Sequence, residues 1–253
     1  MLRVSRDGSI LVLTLDRPEA RNALSATLVD QLTQAIVAGS RDATVRSAII
    51  TGGGGSFASG GDLRELRGKS NKTDAAHLSD GGEALCGAIA DAPFPVIAVL
   101  TGAAFGGGAE LAVACDLRIA EDRAKICFKQ ARMGVTTAWG TLPRLLSLIG
   151  SSATARVLFT AQELTAVEAR AIGLVDYVAE PGAAMATAVA WCTDIEAAAP
   201  SAIEETKRLL RDAAAASYTR IRPLERDAFI RTWSSAAHEE AMEAYFSRRP
   251  PKW

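Results

Sequence analysis

The amino-acid sequence predicts an α/β protein, and three observations support that fold class. Apolar segments of strand length alternate with helical patterns in the early part of the chain. Two of these segments, RSAIITGGGGSF and PVIAVLTGAAFGGG, lead into glycine-rich turns. From about Pro200 onward the patterns are helical alone. Alternating strands and helices predict an α/β core, and the last part of the chain predicts an attached helical region.

The first elements are a strand, a helix and a second strand. SILVLTLD (Ser9–Asp16) alternates well enough to predict a strand. LVDQLTQAIV places Leu28, Leu32 and Ile36 at helical spacing. RSAIITGGGGSF then predicts a short buried strand that ends in a glycine loop. This order is that of an α/β core.

The central segment from Ala92 to Ala109 carries no charge and approaches the length of a membrane span. Pro93 and Pro95 lie near its start, and Gly102 with three later glycines interrupts it. The pattern therefore predicts a buried strand, a turn and a helix, and no membrane span. The N-terminus is also predicted to be a strand and not a signal peptide.

The later part of the chain shows helix signals. Thr165 and Glu168 have the spacing of a capping box, and Gly173 is a stop signal. Ser201 and Glu204 repeat that spacing and predict another helix start. We divide the chain into a core, residues 1–199, and a helical C-terminal region, residues 200–253.

Charge and cysteine content exclude several classes of function. The 253 residues include 28 Lys and Arg against 29 Asp and Glu, a formal net charge of -1. Without a basic stripe, binding to nucleic acid or to an anionic membrane is not expected, and a small-molecule partner is favoured. The four cysteines form no CxxC pair and the two histidines are far apart. No metal site or disulfide framework is predicted, and a reducing cytoplasm is the expected location.

The glycines suggest a specific chemistry. Gly106, Gly107 and Gly108 would leave backbone amides uncovered at the start of a helix, where the helix dipole favours negative charge. A second loop, FASGGDL, ends in Gly60 and Gly61. Amides from two such loops can form an oxyanion hole. Glycine runs are also common as flexible turns, so this pattern alone leaves both interpretations open.

Glu110 follows the second glycine loop within an apolar segment. Burial there would raise the pKa of its carboxyl, which suits proton transfer. A solvated residue in the first turn of a helix is the alternative. Other motifs fail: GKS at residues 68–70 lacks the glycine of a phosphate loop, because Leu63 stands there. Ser59 lacks the leading glycine of a nucleophile elbow.

Four motifs together resemble the crotonase, or enoyl-CoA hydratase/isomerase, superfamily. They are RNALS (Arg21–Ser25), SFASGGDL (Ser56–Leu63), PVIAVLTGAAFGGGAELAVACDLRIA (Pro95–Ala120) and ARAIGLVDYVAE (Ala169–Glu180). The resemblance implies a spiral of stacked ββα units with a helical C-terminal region that packs between subunits. It further implies a homotrimer or a dimer of trimers, an acyl-CoA substrate, and no metal or organic cofactor.

The resemblance assigns roles to particular residues. It implies that the amides of Gly61 and Gly107 form the oxyanion hole and that Glu110 is the first catalytic glutamate. It implies further substrate-binding residues, for CoA and for the acyl group: Arg21, Ala58, Ser59, Gly60, Arg132 and Trp139. Leu142 and the segment Leu63–Leu78 are expected to shape the acyl pocket.

The chain departs from the family pattern at the second catalytic glutamate. In FKQARMGVTTAWGTLPRL (Phe128–Leu145), counting forward from Phe128 gives Arg132, whereas counting back from Gly134 gives Gln130. Neither residue is a carboxylate, and we do not expect one to arrive from elsewhere. Efficient hydration, which uses a pair of carboxylates to activate water, is therefore in doubt.

Three functions remain open from the sequence. GGGAELAVACDLRIA, RMGVTTAWG and ERDAFIRTW look similar to the branch that includes ethylmalonyl-CoA decarboxylase. A lyase that decarboxylates a branched malonyl-CoA or weakly hydrates a 2-enoyl-CoA is preferred. An enoyl-CoA isomerase, or a catalytically degenerate CoA-binding or RNA-binding protein, is the alternative. An apolar face with Phe229, Trp233, Met242 and Phe246 is expected at a subunit interface, with an intramolecular core as its alternative.

Overall fold

A computed structural model describes residues 1–252, except for the side chains of residues 214–218. The strands are β1 Leu2–Asp7, β2 Ile10–Leu15, β3 Ser47–Gly52, β4 Ser56–Ala58, β5 Val96–Leu100, β6 Ala103–Phe105, β7 Leu117–Glu121, β8 Lys125–Cys127, β9 Leu164–Thr165 and β10 Tyr177–Ala179. The helices are α1 Ala26–Ser40, α2 Leu63–Leu66, α3 Lys72–Asp91, α4 Gly107–Ala114, α5 Thr141–Thr160, α6 Ala166–Ala171, α7 Ala184–Glu196, α8 Pro200–Trp233 and α9 Ala236–Phe246. Short 3₁₀ helices cover Pro18–Ala20 and Lys129–Met133.

Two sheets organise the core. The larger sheet has the strand order β1-β2-β3-β5-β7-β10, and the smaller has β4-β6-β8-β9. Only the β1–β2 and β8–β9 pairs are antiparallel among the described pairs. The chain passes from the larger sheet to the smaller and then into a helix in successive units: β3–β4–α3, β5–β6–α4 and β7–β8–α5. The predicted α/β fold with a helical C-terminal region is confirmed.

The larger sheet is covered on both faces, which explains why its central strands are apolar throughout. Ile49, Ile97 and Ile119 face α7, where Ala188 and Cys192 pack against them. The opposite face packs toward α1, α3 and the smaller sheet in the main core. Every residue of β5 is buried. Each fully buried Ile or Val contributes roughly 1.5–3 kcal/mol to stability, so this layer positions the loops at the strand ends rigidly.

Helix starts only partly follow their sequence signals. The Thr165 side chain and the Glu168 side chain form the predicted capping box at α6. The predicted start at Ser201 is wrong, because α8 begins at Pro200 with Ala199 at the N-cap and no side-chain cap. Proline suits the first helical position, since its missing N–H would have no partner there. The proline therefore replaces the serine as the helix start.

The C-terminal helices pack on the core of the same chain. Lys207 on α8 is buried, and its Nζ donates to the Ile89 and Phe94 carbonyl oxygens and to Asp116 Oδ2 at 2.8–2.9 Å. Three acceptors satisfy the ammonium, so its burial is compensated. Among the described residues no helix combines the length and apolarity that crossing a bilayer requires. The four cysteines are free and buried.

Candidate active site

A cavity of about 240 Å³ lies where the two glycine loops meet. Its walls come from the ends of β4 and β6, from α4, from the segment after β8 and from α8 and α9. Seven of the residues expected from the sequence line it: Arg21, Ser59, Gly60, Gly61, Gly107, Glu110 and Trp139. Residues that are far apart in sequence are thus brought into one pocket.

The two glycine loops contact each other through positions that exclude side chains. Gly60 has φ +107°, and a Cβ there would lie 3.1 Å from the Phe105 carbonyl oxygen. Gly106 has φ +51°, and a Cβ there would approach Gly60 Cα. Only glycine adopts such backbone freely. The close approach places Gly60 beside the Gly107 nitrogen, 3.7 Å from its ideal Cβ position.

The amides of Gly61 and Gly107 have no hydrogen-bond acceptor among the described residues, although their neighbours do. The Leu24 N–H donates to the Gly60 carbonyl, and the Asp62 N–H donates to the Leu24 carbonyl. Gly107 is the first residue of α4, at the positive end of its dipole. Two uncovered N–H groups next to one cavity can stabilise a negatively charged oxygen.

The RNALS segment is fixed by the buried side chain of Asn22. Its Oδ1 accepts from the Arg17 N–H at 2.8 Å, and its Nδ2 donates to the Gly53 and Ser56 carbonyl oxygens at 2.9 and 2.7 Å. Asn22 has φ +56°, a conformation that asparagine tolerates better than most residues. The exposed Arg21 is thereby held at the mouth of the cavity, where its carbonyl accepts from the Ser59 N–H.

Glu110 lies in the first turn of α4 and is 5% exposed. Its Oε1 accepts from the Ala138 N–H and from the Thr141 hydroxyl, each at 2.9 Å. Burial raises the pKa of its carboxyl, and these hydrogen bonds oppose the rise. Among the described residues it is the only carboxylate that lines the cavity. The arrangement therefore offers one buried carboxylate beside two amide donors.

The position expected for a second carboxylate holds Gln130. It lines the cavity, and neither atom of its buried amide has a hydrogen-bond partner within 3.5 Å. Arg132 is exposed, and its Nη2 donates to the Thr160 carbonyl outside the cavity. Both belong to the 3₁₀ helix Lys129–Met133, in which Gln130 is buried and lines the cavity while Arg132 is exposed. Gln130 therefore lines the cavity and Arg132 does not, and the expected contact of Arg132 with substrate stays a prediction.

Two other expected residues lie outside the cavity. Ala58 is fully buried, and a Cβ on Gly108 would come within 2.2 Å of the Ala58 carbonyl oxygen. This close contact packs α4 against β4, so Ala58 supports the glycine loop without lining the cavity. Leu142 also does not line the cavity, whereas Leu63, Leu66 and Leu78 of the predicted acyl-pocket segment do.

A family model described as enoyl-CoA hydratase/isomerase matches residues 5–253. The chain belongs to the enoyl-CoA hydratase/isomerase family. A probable enoyl-CoA hydratase of Mycobacterium bovis is 34% identical over 253 residues, which cover 100% of this chain and 99% of the relative. A short-chain-enoyl-CoA hydratase of Clostridium acetobutylicum is 31% identical over 247 residues, 97% of this chain and 94% of the relative.

Solved structures agree with this family assignment. The crystal structure of a putative enoyl-CoA hydratase from Mycobacterium avium paratuberculosis K-10 superposes with a TM-score of 0.90 at 30% identity. The match covers 100% of this chain and 99% of that one. The similarity to the ethylmalonyl-CoA decarboxylase branch stays a prediction from the sequence.

This member of the family closes its cavity with its own C-terminal helices. Phe229 and Trp233 of α8, and His238 and Tyr245 of α9, line the cavity. Phe229 and Trp233 are buried within the chain, so they are not available for the subunit interface expected for them. The intramolecular alternative holds for these two residues. Three leucines of α8 are instead exposed: Leu209, Leu210 and Leu224.

The sequence patterns did not single out a second buried carboxylate, Glu225. It lies on α8, is 4% exposed and does not line the cavity. Its Oε1 accepts from the Thr137 hydroxyl and from the Leu142 N–H, the latter at 2.9 Å. Burial raises its pKa to about 7, with a further rise from the charge of Glu110. Its helical spacing with Phe229 and Trp233, at i, i+4 and i+8, was the available signal.

Proposed function

We propose that this family member is a lyase that acts on an acyl-CoA thioester through an enolate. The amides of Gly61 and Gly107 would hold the enolate oxygen, and Glu110 would carry every proton transfer. The observation that supports this proposal is the buried Glu110 beside two unpartnered amides, in a cavity with no other carboxylate among the described residues. Preorganised amide donors of this kind typically lower a barrier by about 3–4 kcal/mol each.

The rest of the cavity suits the two ends of such a substrate. Arg21 and Lys129 line it as cations, which favour the phosphates of CoA. The acyl group would lie against apolar side chains from the loop after β4 and from α8, together with Trp139. Trp139 packs over Gly107, with its ring 3.0 Å from an ideal Cβ there. No cofactor beyond the CoA of the substrate enters the proposed reaction.

Hydration of a 2-enoyl-CoA is the reaction favoured by the names of the relatives. Glu110, as carboxylate, would take a proton from water while the hydroxide oxygen bonds to the β carbon. The electrons of the C=C bond move to the thioester oxygen, where the Gly61 and Gly107 amides hold the enolate. The enolate then takes the proton from Glu110 at the α carbon. With Gln130 in the second position, one carboxylate performs both transfers, so we expect slow hydration.

Decarboxylation of a branched malonyl-CoA is the second candidate, favoured by the replacement of a carboxylate by Gln130. The bond from the α carbon to the departing carboxylate breaks, CO2 leaves, and the electron pair forms the same enolate. Glu110 would here start protonated and deliver its proton to the α carbon. Burial, which raises the pKa of this carboxyl, favours the protonated form more than an exposed glutamate would. No base is required to remove an α proton.

The pH dependence separates the two reactions. Hydration needs ionised Glu110, so its rate should fall as the pH drops through the pKa of Glu110. Decarboxylation needs protonated Glu110, so its rate should fall as the pH rises through that pKa. The assay follows crotonyl-CoA, 3-enoyl-CoA, ethylmalonyl-CoA and methylmalonyl-CoA at several pH values, with Glu110→Gln as control. Hydration should lose about 10²–10⁴-fold in that variant. If wild-type protein converts none of these thioesters, or only isomerises the 3-enoyl-CoA, the proposed lyase function is wrong.

Assembly and location also stay proposals. We propose a homotrimer or a dimer of trimers in the cytoplasm. The exposed leucines of α8 are the residues we assign to that interface, because a second subunit would remove their apolar side chains from water.

A further inference from the structure

The segment of residues 137–142 is held by two buried carboxylates. Glu110 accepts hydrogen bonds from its inner positions, the Ala138 N–H and the Thr141 hydroxyl. Glu225 accepts from its outer positions, the Thr137 hydroxyl and the Leu142 N–H. The segment thus connects Glu225 on α8, 88 residues beyond Thr137 in sequence, to Glu110 in the cavity.

We propose that Glu225 is a positioning residue that sets the 137–142 segment so that Ala138 and Thr141 hold Glu110 against the oxyanion amides. The inference rests on the proposed function, since it assigns Glu225 a role in that reaction. Glu225 touches no part of the cavity, so it acts on substrate only through Glu110. Moving either inner donor would release Glu110 Oε1, and displacements of about 1 Å at such groups can cost a hundredfold in rate.

The burial of Glu225 supports a positioning role over a purely structural one. Its Oε2 has no hydrogen-bond partner among the described residues, although the atom is buried. A buried carboxyl with an unpartnered oxygen costs stability, and an apolar residue of similar size would pack there more favourably. What the carboxyl adds is one oxygen, Oε1, that accepts from both the Thr137 hydroxyl and the Leu142 N–H. The charged groups that act on it are Glu110, which raises its pKa, and Arg144, which lowers it.

Three variants test the role of Glu225. Glu225→Ala removes both acceptor contacts, Glu225→Gln keeps an acceptor oxygen in the same place, and Asp227→Ala changes an exposed acid on the same helix. We expect Glu225→Ala to lower kcat about tenfold, a loss on the scale of one hydrogen bond that positions the segment. KM should change less than about twofold, because the substrate contacts remain. Glu225→Gln should restore most of kcat at pH 6, and Asp227→Ala should match wild type.

Thr137→Val gives an independent route to the same contact. It removes the hydroxyl donor without changing the size of the side chain. If Glu225 acts through the segment, Thr137→Val should also lower kcat. In Glu225→Ala the same change should add little, because the contact is already lost. Equal kcat in Glu225→Ala and wild type, or full additivity of the two changes, would overturn the inference.

A measurement without turnover separates this inference from the proposed function. Amide hydrogen exchange at Ala138 and Leu142 should accelerate in Glu225→Ala and not in Glu225→Gln or Asp227→Ala. If wild-type protein converts no thioester but exchange follows this pattern, the proposed reaction fails and the positioning of the segment by Glu225 stands. If exchange at Ala138 is the same in all four proteins, Glu225 does not position the segment, whatever the activity.

Discussion

Glu225 should make the folded protein less stable as the pH rises, and Glu225→Gln should remove that effect. The folded-state pKa of Glu225 is about 7, against an ordinary value of 4.5. One pKa unit corresponds to ~1.36 kcal/mol, so ionising this group in the folded protein costs about 3 kcal/mol. Below pH 4.5 the carboxyl is protonated in both states and the effect vanishes. Between pH 4.5 and 7 the Glu225 carboxyl is ionised in the unfolded chain but still protonated in the folded protein. The unfolded state therefore binds fewer protons, and the free energy of unfolding falls as the pH rises.

Urea denaturation followed by far-UV circular dichroism, at one protein concentration and at pH 5 and 8, measures this difference. Glu225→Gln keeps the contacts to Thr137 and Leu142 but cannot ionise. Its free energy of unfolding should exceed that of wild type by about 2–3 kcal/mol at pH 8 and by much less at pH 5. Asp227→Asn, an exposed control, should follow wild type at both values. Parallel pH profiles for wild type and Glu225→Gln would refute the reasoning.

Three further predictions concern the fold, the mouth of the cavity and the assembly. Gly108→Ala should destabilise the protein by about 1–3 kcal/mol in urea denaturation, because its Cβ would meet the Ala58 carbonyl oxygen at 2.2 Å. Gly81→Ala is the control: a Cβ there has nothing within 4 Å, so this change should be neutral or stabilising. Equal effects of the two changes would contradict this packing. Arg21→Ala should raise KM for CoA thioesters about twofold to fivefold at low salt and less at high salt; an effect independent of salt would argue against phosphate contact. Light scattering at micromolar concentration should detect an oligomer, and a monomer would rule out an interface on the exposed leucines of α8.

The sequence predicted the local part of the site well. Three consecutive glycines before an apolar helix indicated uncovered amides, and Glu110 lies in the first turn of that helix as expected. These features depend on backbone conformation over a few residues, which glycine content and helical spacing report directly. The alternation of strands and helices likewise predicted the α/β core, because periodicity reflects which faces are buried.

The parts that the sequence did not predict depend on long-range packing. Glu225 reaches the 137–142 segment only because α8 folds back over α5, and no spacing rule encodes that contact. The choice between Gln130 and Arg132 depended on the short 3₁₀ helix, whose turn directs one side chain inward and the other to solvent. Phe229 and Trp233 formed a visible apolar face, but periodicity cannot tell whether such a face meets its own core or a second subunit.

The wall formed by α8 and α9 has a consequence for the order in which the protein matures. Both sheets and the two glycine loops precede Pro200, so they leave the ribosome before the helices that cover the cavity. Until Phe229 and Trp233 have been synthesised, Glu110 lacks its apolar cover, and the segment that holds it lacks the contact with Glu225. A nascent chain therefore carries the amide donors early, and its cavity wall is complete only once both α8 and α9 have packed on the core.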